Sequence, residues 1–174
     1  MSQLREGLTA ARLIVGLVLI AGCTPLDRYD ITINNVPVYQ PEPLLQVEGI
    51  EDPALHACIE QTALDLQATE VKSLEQLNCS NAGIVSLAGL ERFSGIQSLK
   101  LSGNDIRNLL TLERLPALQQ LWLDSNDIVD PLPVLRLPAL RHLDLRDNPR
   151  LQCPALAKIP SSMQLSLPDH CKAT

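Results

Sequence analysis

Five cysteines and three histidines carry whatever covalent or metal chemistry this chain can do. The cysteines are Cys23, Cys58, Cys79, Cys153 and Cys171, and the histidines are His56, His142 and His170. Thiolates and neutral imidazoles are the common zinc ligands. His56-Ala57-Cys58 and His170-Cys171, together with Cys79 and Cys153, therefore form one candidate ligand set. Against it, no Cys-x-x-Cys pair is present to grip a metal from a short loop. The four cysteines after Cys23 can instead join as two disulfides, with three possible connectivities. Catalytic arrangements are missing: there is no Gly-x-Ser-x-Gly elbow, phosphate loop, His-Glu-x-x-His or dinucleotide glycine fingerprint. The expectation is a non-enzyme with no catalytic residue, no metal and no cofactor.

Cys23 stands apart because of what precedes it. Arg5 and Arg12, with the single acid Glu6, lead into an uncharged, mostly aliphatic run from Leu13 to Ala21. A run of about ten residues is too short to cross a ~30 Å hydrocarbon core as a helix. A charged region, an apolar region and a small-residue exit are the parts of a secretory signal. That exit reads Leu19-Ile20-Ala21-Gly22-Cys23 and resembles the bacterial lipobox. The resemblance implies cleavage before Cys23, diacylation of its sulphur and acylation of the new amino group; the alternative is a plain cleaved signal beside an incidental cysteine. Two or three acyl chains anchor a protein stably where one does not. Thr24 follows the cysteine, and enterobacterial lipoproteins without Asp there go to the outer membrane. The expected location is the cell envelope, anchored by lipid to that membrane. Losing Arg5, Arg12 and Glu6 would take the net charge from −6 to −7.

The composition is lopsided. Hydrophobic residues make up 45 %, yet the aromatics are one Trp, two Tyr and one Phe, which points to a thin, repeated architecture rather than an ordinary mixed core. A pI near 5.0 without a basic run excludes nucleic acid as a partner, because phosphates must be neutralised by Lys and Arg. Pro25, Pro37, Pro41 and Pro43 mark a tether, within which Ile31-Thr32-Ile33 and Val36-Pro37-Val38-Tyr39 flank Asn34-Asn35 as a possible hairpin. Asp52-Pro53 then starts a helix, with a capping side chain followed by a proline that needs no amide partner. Leu55, Cys58, Ile59, Thr62 and Leu66 fall on one face of that helix.

Sliding the sequence against itself by 22 residues aligns Leu77, Leu99, Leu121, Leu143 and Leu165 in one column. Two positions on stand Cys79, Leu101, Leu123, Leu145 and Leu167, and three further on Ala82, Asn104, Asn126, Asn148 and His170. The return legs carry an apolar residue or Pro every third position: Leu87, Leu90, Phe93, Ile96; Leu109, Leu112, Leu115, Leu118; Pro131, Val134, Leu137, Leu140. The pattern resembles the 22-residue class of leucine-rich repeat found in internalins and other bacterial surface proteins, over roughly residues 74–153. The implied fold is an α/β repeat solenoid, a short horseshoe with a parallel sheet on its concave face, an N-terminal helical cap and a C-terminal disulfide cap. The expected divisions are a signal at 1–22, a tether at 23–50, a helical cap at 51–72, repeats at 73–152 and a C-terminal cap with the last strand at 153–174.

That register narrows the cysteine pairings. Cys79 occupies an inward position of the first repeat and Cys58 the apolar face of the preceding helix, while Cys153 and Cys171 bracket the last strand. The expected disulfides are Cys58–Cys79 and Cys153–Cys171, one per cap, which sets the zinc reading aside because its donors lie at opposite ends. Alternation along each strand also names the outward residues. Trp122 stands mid-face, ringed by Lys100, Gln120, Asp124, His142, Asp144 and Arg146, and an aromatic among mixed charges has the make-up of an interface hot spot. The resulting expectation is a monomeric, lipid-anchored module that binds a protein ligand through its concave face. The competing reading is a structural or assembly lipoprotein of the envelope without such a ligand.

Overall fold

The computed structural model describes residues 44–155 and 159–171, and the backbone alone of Ile31–Ile33 and Val36–Tyr39. The signal segment, Cys23, Asn34-Asn35 and Pro41–Pro43 lie outside the described residues. The chain divides into two compact units, Met1–Glu42 and Pro43–Thr174. In the first, β1 (Ile31–Ile33) and β2 (Val36–Tyr39) form an antiparallel pair in which Thr32 faces Pro37. Both strands of a two-stranded ribbon are edges, so a proline without an amide is tolerated there.

The second unit is one parallel sheet with one strand per repeat. Its strands β3 (Gln76–Asn78), β4 (Ser98–Lys100), β5 (Gln120–Trp122), β6 (His142–Asp144) and β7 (Gln164–Ser166) lie in chain order. The register advances by the repeat length: Leu77 faces Leu99, which faces Leu121, then Leu143, then Leu165. Backbone pairing runs on past each strand, as when Leu101 and Leu123 donate to the carbonyls of Trp122 and Asp144 at 2.9 Å. Strict alternation turns both leucines of Leu-x-Leu to one face. Leu99, Leu101, Leu121, Leu123, Leu143 and Leu145 are all fully buried. Each contributes roughly 1.5–3 kcal/mol by leaving water.

The chain returns through tight turns, as a three-residue apolar period demands. Short 3₁₀ turns at Leu90–Arg92 and Leu110–Arg114 stack on one another, and the third repeat makes a single α-helical turn, α2 (Leu132–Leu135), flanked by Pro131. Leu90, Phe93, Ile96, Leu112, Leu115, Leu118, Val134, Leu137 and Leu140 close the core from this side. Where the strands end, Asn104, Asn126 and Asn148 hold the backbone together. Asn126 Nδ2 donates to the carbonyls of Leu101 (3.0 Å) and Leu123 (3.1 Å), and Asn148 Nδ2 to those of Leu123 (2.9 Å) and Leu145 (3.0 Å). Each amide thus ties its own repeat to the one before, and its Oδ1 accepts a backbone N–H from that earlier repeat: Ile106 to Asn126 and Ile128 to Asn148.

Both ends are capped. Helix α1 (Pro53–Asp65) lays Leu55, Ile59 and Ala63 on the first repeat. Leu66, expected on that face, is 57 % exposed. The helix ends at Asp65, and Gln67 takes a positive φ of 49°, so the chain reverses and turns Leu66 outward while Ala63 fills the inner position. Disulfides join Cys58 to Cys79 and Cys153 to Cys171, with Cα atoms 5.8 and 5.3 Å apart.

Asp52 links cap and repeats more closely than a helix cap needs. One carboxylate oxygen accepts from the amides of Ala54 and Leu55 (both 3.0 Å), the other from Val85 and Ser86 (both 2.9 Å). Burial pushes this carboxyl up, but the four amides, Ser86 foremost, outweigh it and hold it below the usual 3.8. A depressed folded value makes Asp52 a source of stability that is complete well above 3.8 and is lost as pH falls through the folded value. Asp52→Asn is expected to cost about 2 kcal/mol at neutral pH, through loss of the charge and of one set of amide bonds. Denaturant titrations from neutral to acid pH should show the gap between variant and wild type closing below the usual carboxyl range. A gap independent of pH would contradict this account.

Candidate functional site: the concave face

The sheet's outer face is built by the residues between the buried leucines. Trp122, the middle residue of this face, is half-buried, and the adjacent strands supply what touches it. Lys100 places its Nζ 5.1 Å from the ring centroid, a cation–π distance. His142 sets its ring 4.8 Å away at 42°. His142 Nδ1 lies 3.4 Å from Gln164 Oε1, while its Nε2 is buried without a hydrogen-bond partner among the described residues. Gln120 is exposed beside the tryptophan.

The acids behave differently from one another. Asp124 is half-buried and accepts the Ser102 hydroxyl at 2.5 Å. Asp144, expected among the exposed contact residues, is only 3 % exposed. Arg146, two residues along the same strand direction, folds back over it with Nε 2.9 Å from Oδ1 and Nη2 2.6 Å from Oδ2, and its amide donates to Oδ1 at 3.1 Å. A forked guanidinium fits a carboxylate with two parallel bonds. Burial raises the Asp144 carboxyl, and the bonds and charge of Arg146, helped by His142, outweigh it and hold the group below 3.8. Asp144 therefore positions Arg146, whose side chain stays 58 % exposed.

Among the described residues, the cysteines and histidines do not gather into a metal centre of free thiolates. Cys153, His170 and Cys171 offer donor atoms within 4.8 Å of one another, but the two sulphurs are bonded to each other. His170 Nε2 lies 3.1 Å from the Leu151 carbonyl oxygen. At the opposite cap His56 Nε2 lies 2.9 Å from the Val47 carbonyl oxygen, and Cys58 is in its own disulfide.

Sequence reasoning missed two hollows that flank the Trp122 surface. One, of about 740 Å³, opens between the end of α1 and strands β3 and β4 and is lined by Asp65, Leu66, Glu75, Leu77 and Lys100 among others. The second, about 440 Å³, lies at β7 and is lined by Met163, Leu165 and Leu167 with Arg146. The repeat pattern carries no signal for either, since both depend on how the caps seat against the outer strands.

No protein-family model matches the sequence, and no curated protein matches it. Solved structures do. Internalin C2 of Listeria monocytogenes is similar with a TM-score of 0.57 and 19 % identity, over 68 % of this chain and 60 % of that one. The internalin inlF of the same organism is similar with a TM-score of 0.50 and 17 % identity, over 67 % and 43 %. The chain thus spans 60 % or less of the length of these two proteins. At such identities the likeness concerns the fold. With the in-register parallel sheet, the asparagine ladder and the two disulfides, it makes the chain a short leucine-rich-repeat solenoid of the internalin type.

Proposed function

We propose that this protein is a lipid-anchored recognition module of the bacterial cell envelope, held at the outer membrane through acylated Cys23, which binds a protein ligand with its concave face. The observation that carries the reading is Trp122 at the middle of an open sheet face, with Lys100, Gln120, Asp124, His142 and the Asp144–Arg146 pair around it. A large aromatic kept at a concave surface, with positively charged and polar neighbours, is the composition of an interface anchor. Its surroundings are preorganised, because Asp124 and Arg146 are already held by Ser102 and Asp144. Little side-chain entropy would then be lost on binding. Affinity capture with wild-type and Trp122→Ala baits tests this reading.

A second reading has its own support: Lys100 and His142 already pack on the indole, as they would if Trp122 served only to cement the sheet face. Under it the protein is a structural or assembly lipoprotein of the envelope, and Trp122→Ala leaves its interactions unchanged.

The anchor has a separate test. A clickable fatty acid fed to expressing cells is expected to label the wild-type chain and to leave Cys23→Ser unlabelled and released from the membrane fraction. Equal labelling of both would remove Cys23 as the attachment point.

A further inference from the structure

We propose that the hollow between α1 and strands β3 and β4 seats a cationic side chain, arginine or lysine, from an extended peptide segment lying across the concave face. This deepens the reading of that face as the recognition surface and rests on it. The hollow holds about 740 Å³, within the range of ligand sites. Its walls are of two kinds. Leu66, 57 % exposed at the end of α1, gives aliphatic surface, while Asp65 and Glu75 give carboxylates. A long hydrocarbon stem ending in a cation uses both walls, whereas an aspartate or glutamate brings the wrong charge.

Among the described residues, neither carboxylate takes part in an ion pair. Asp65 accepts the neutral amide of Gln61 at 2.7 Å. Glu75 has no side-chain hydrogen bond or ion pair among the described residues. Lys100, the cation among the lining residues, is held toward the neighbouring strand over Trp122. On the far side of the face Arg146, paired with Asp144, keeps its guanidinium 58 % exposed. A segment crossing the strands from this hollow would meet the two carboxylates first, then the indole with Lys100 over it, then the exposed Arg146 guanidinium. From β3 to β6 is about 14 Å at the usual strand spacing, or roughly four residues of extended peptide.

The test uses the full chain in mild detergent, panned against a phage-displayed library of random dodecapeptides. Peptides retained by wild type are expected to carry Arg or Lys at one position about tenfold above its library frequency, the discrimination of one charge-assisted contact. An acidic residue should recur about four positions away. The basic preference should disappear against Glu75→Lys and weaken against Glu75→Gln, and Trp122→Ala should lose the peptides altogether. Glu75 is exposed and enters the sheet only through its backbone, whose carbonyl accepts from Gln97 (2.8 Å) and Ser98 (3.1 Å), so the variants should melt as wild type does. Should Glu75→Lys melt lower, Asp65→Asn replaces it. A basic preference that survives Glu75→Lys, or peptides that lack one yet depend on Trp122, would overturn the cation site and leave the concave-face reading standing. Peptides indifferent to Trp122→Ala, or no retained peptide at all, would overturn both.

Discussion

Chemical reduction is expected to lower the melting temperature by on the order of 15 °C, because each disulfide closes a loop of about 20 residues worth roughly 3 kcal/mol in the chain-entropy account. The separations are 21 residues for Cys58–Cys79 and 18 for Cys153–Cys171. The physical need is at the ends. A stack of repeats buries each leucine layer against the next, so the first and last layers depend on their caps. Cys79 sits in an inward position of the first layer and is tied to α1, and Cys171 closes the last layer with Leu167 and Met163. The pairs can be separated by calorimetry of Cys58→Ala/Cys79→Ala and Cys153→Ala/Cys171→Ala, each expected to account for about half of the effect. A melting curve unmoved by reduction would show that burial alone holds the caps.

The second large effect is expected at Asn148. Its side chain is fully buried, and Asn148→Ala would strip the Ile128 amide and the Leu145 carbonyl of the partners they have. The Leu123 carbonyl would keep Asn126, and the Arg146 carbonyl would keep the amide of Ser125. Two buried groups left unpaired cost about 3–4 kcal/mol together, at roughly 1–3 kcal/mol apiece. Asn126→Ala provides the comparison. Its carbonyl partners at Leu101, Leu123 and Asp124 retain other donors, so only the Ile106 amide is orphaned and about 1–2 kcal/mol is expected. Denaturant unfolding of both variants should therefore place Asn148→Ala clearly below Asn126→Ala. Equal losses would mean that the ladder's shared acceptors do not buffer its middle rung.

Much of this architecture is readable in the residues, for a reason peculiar to repeats. A solenoid places residues 22 apart side by side, so long-range pairing becomes a periodic sequence signal. Leu77, Leu99, Leu121, Leu143 and Leu165 align in the sheet as they do in the sequence. The same holds for Asn104, Asn126 and Asn148, whose Nδ2 groups donate to equivalent carbonyls because their backbone surroundings repeat. What the pattern does not carry lies at the breaks in the repeat or in side-chain choices. Leu66 fits the α1 face by spacing, but the helix stops one residue earlier. Asp52 reads as a helix cap, and nothing local tells that its second oxygen reaches Val85 and Ser86. Asp144 occupies an outward position, yet Arg146 buries it, because a charged side chain next to a guanidinium two residues on lowers its energy by pairing. The position of Trp122 was legible, whereas its contacts with Lys100 and His142 depend on rotamers.

The central claim, that the concave face recognises a protein, is tested most directly by affinity capture from envelope extracts with the full chain and its Trp122→Ala variant as paired baits. Truncating an interface anchor costs at least about 2 kcal/mol, so a true ligand should be retained by the first bait and weakened about 30-fold or lost with the second. Matching melting curves for the two baits would assign that loss to binding rather than folding. A ligand captured equally by both would contradict the account and return Trp122 to a packing role.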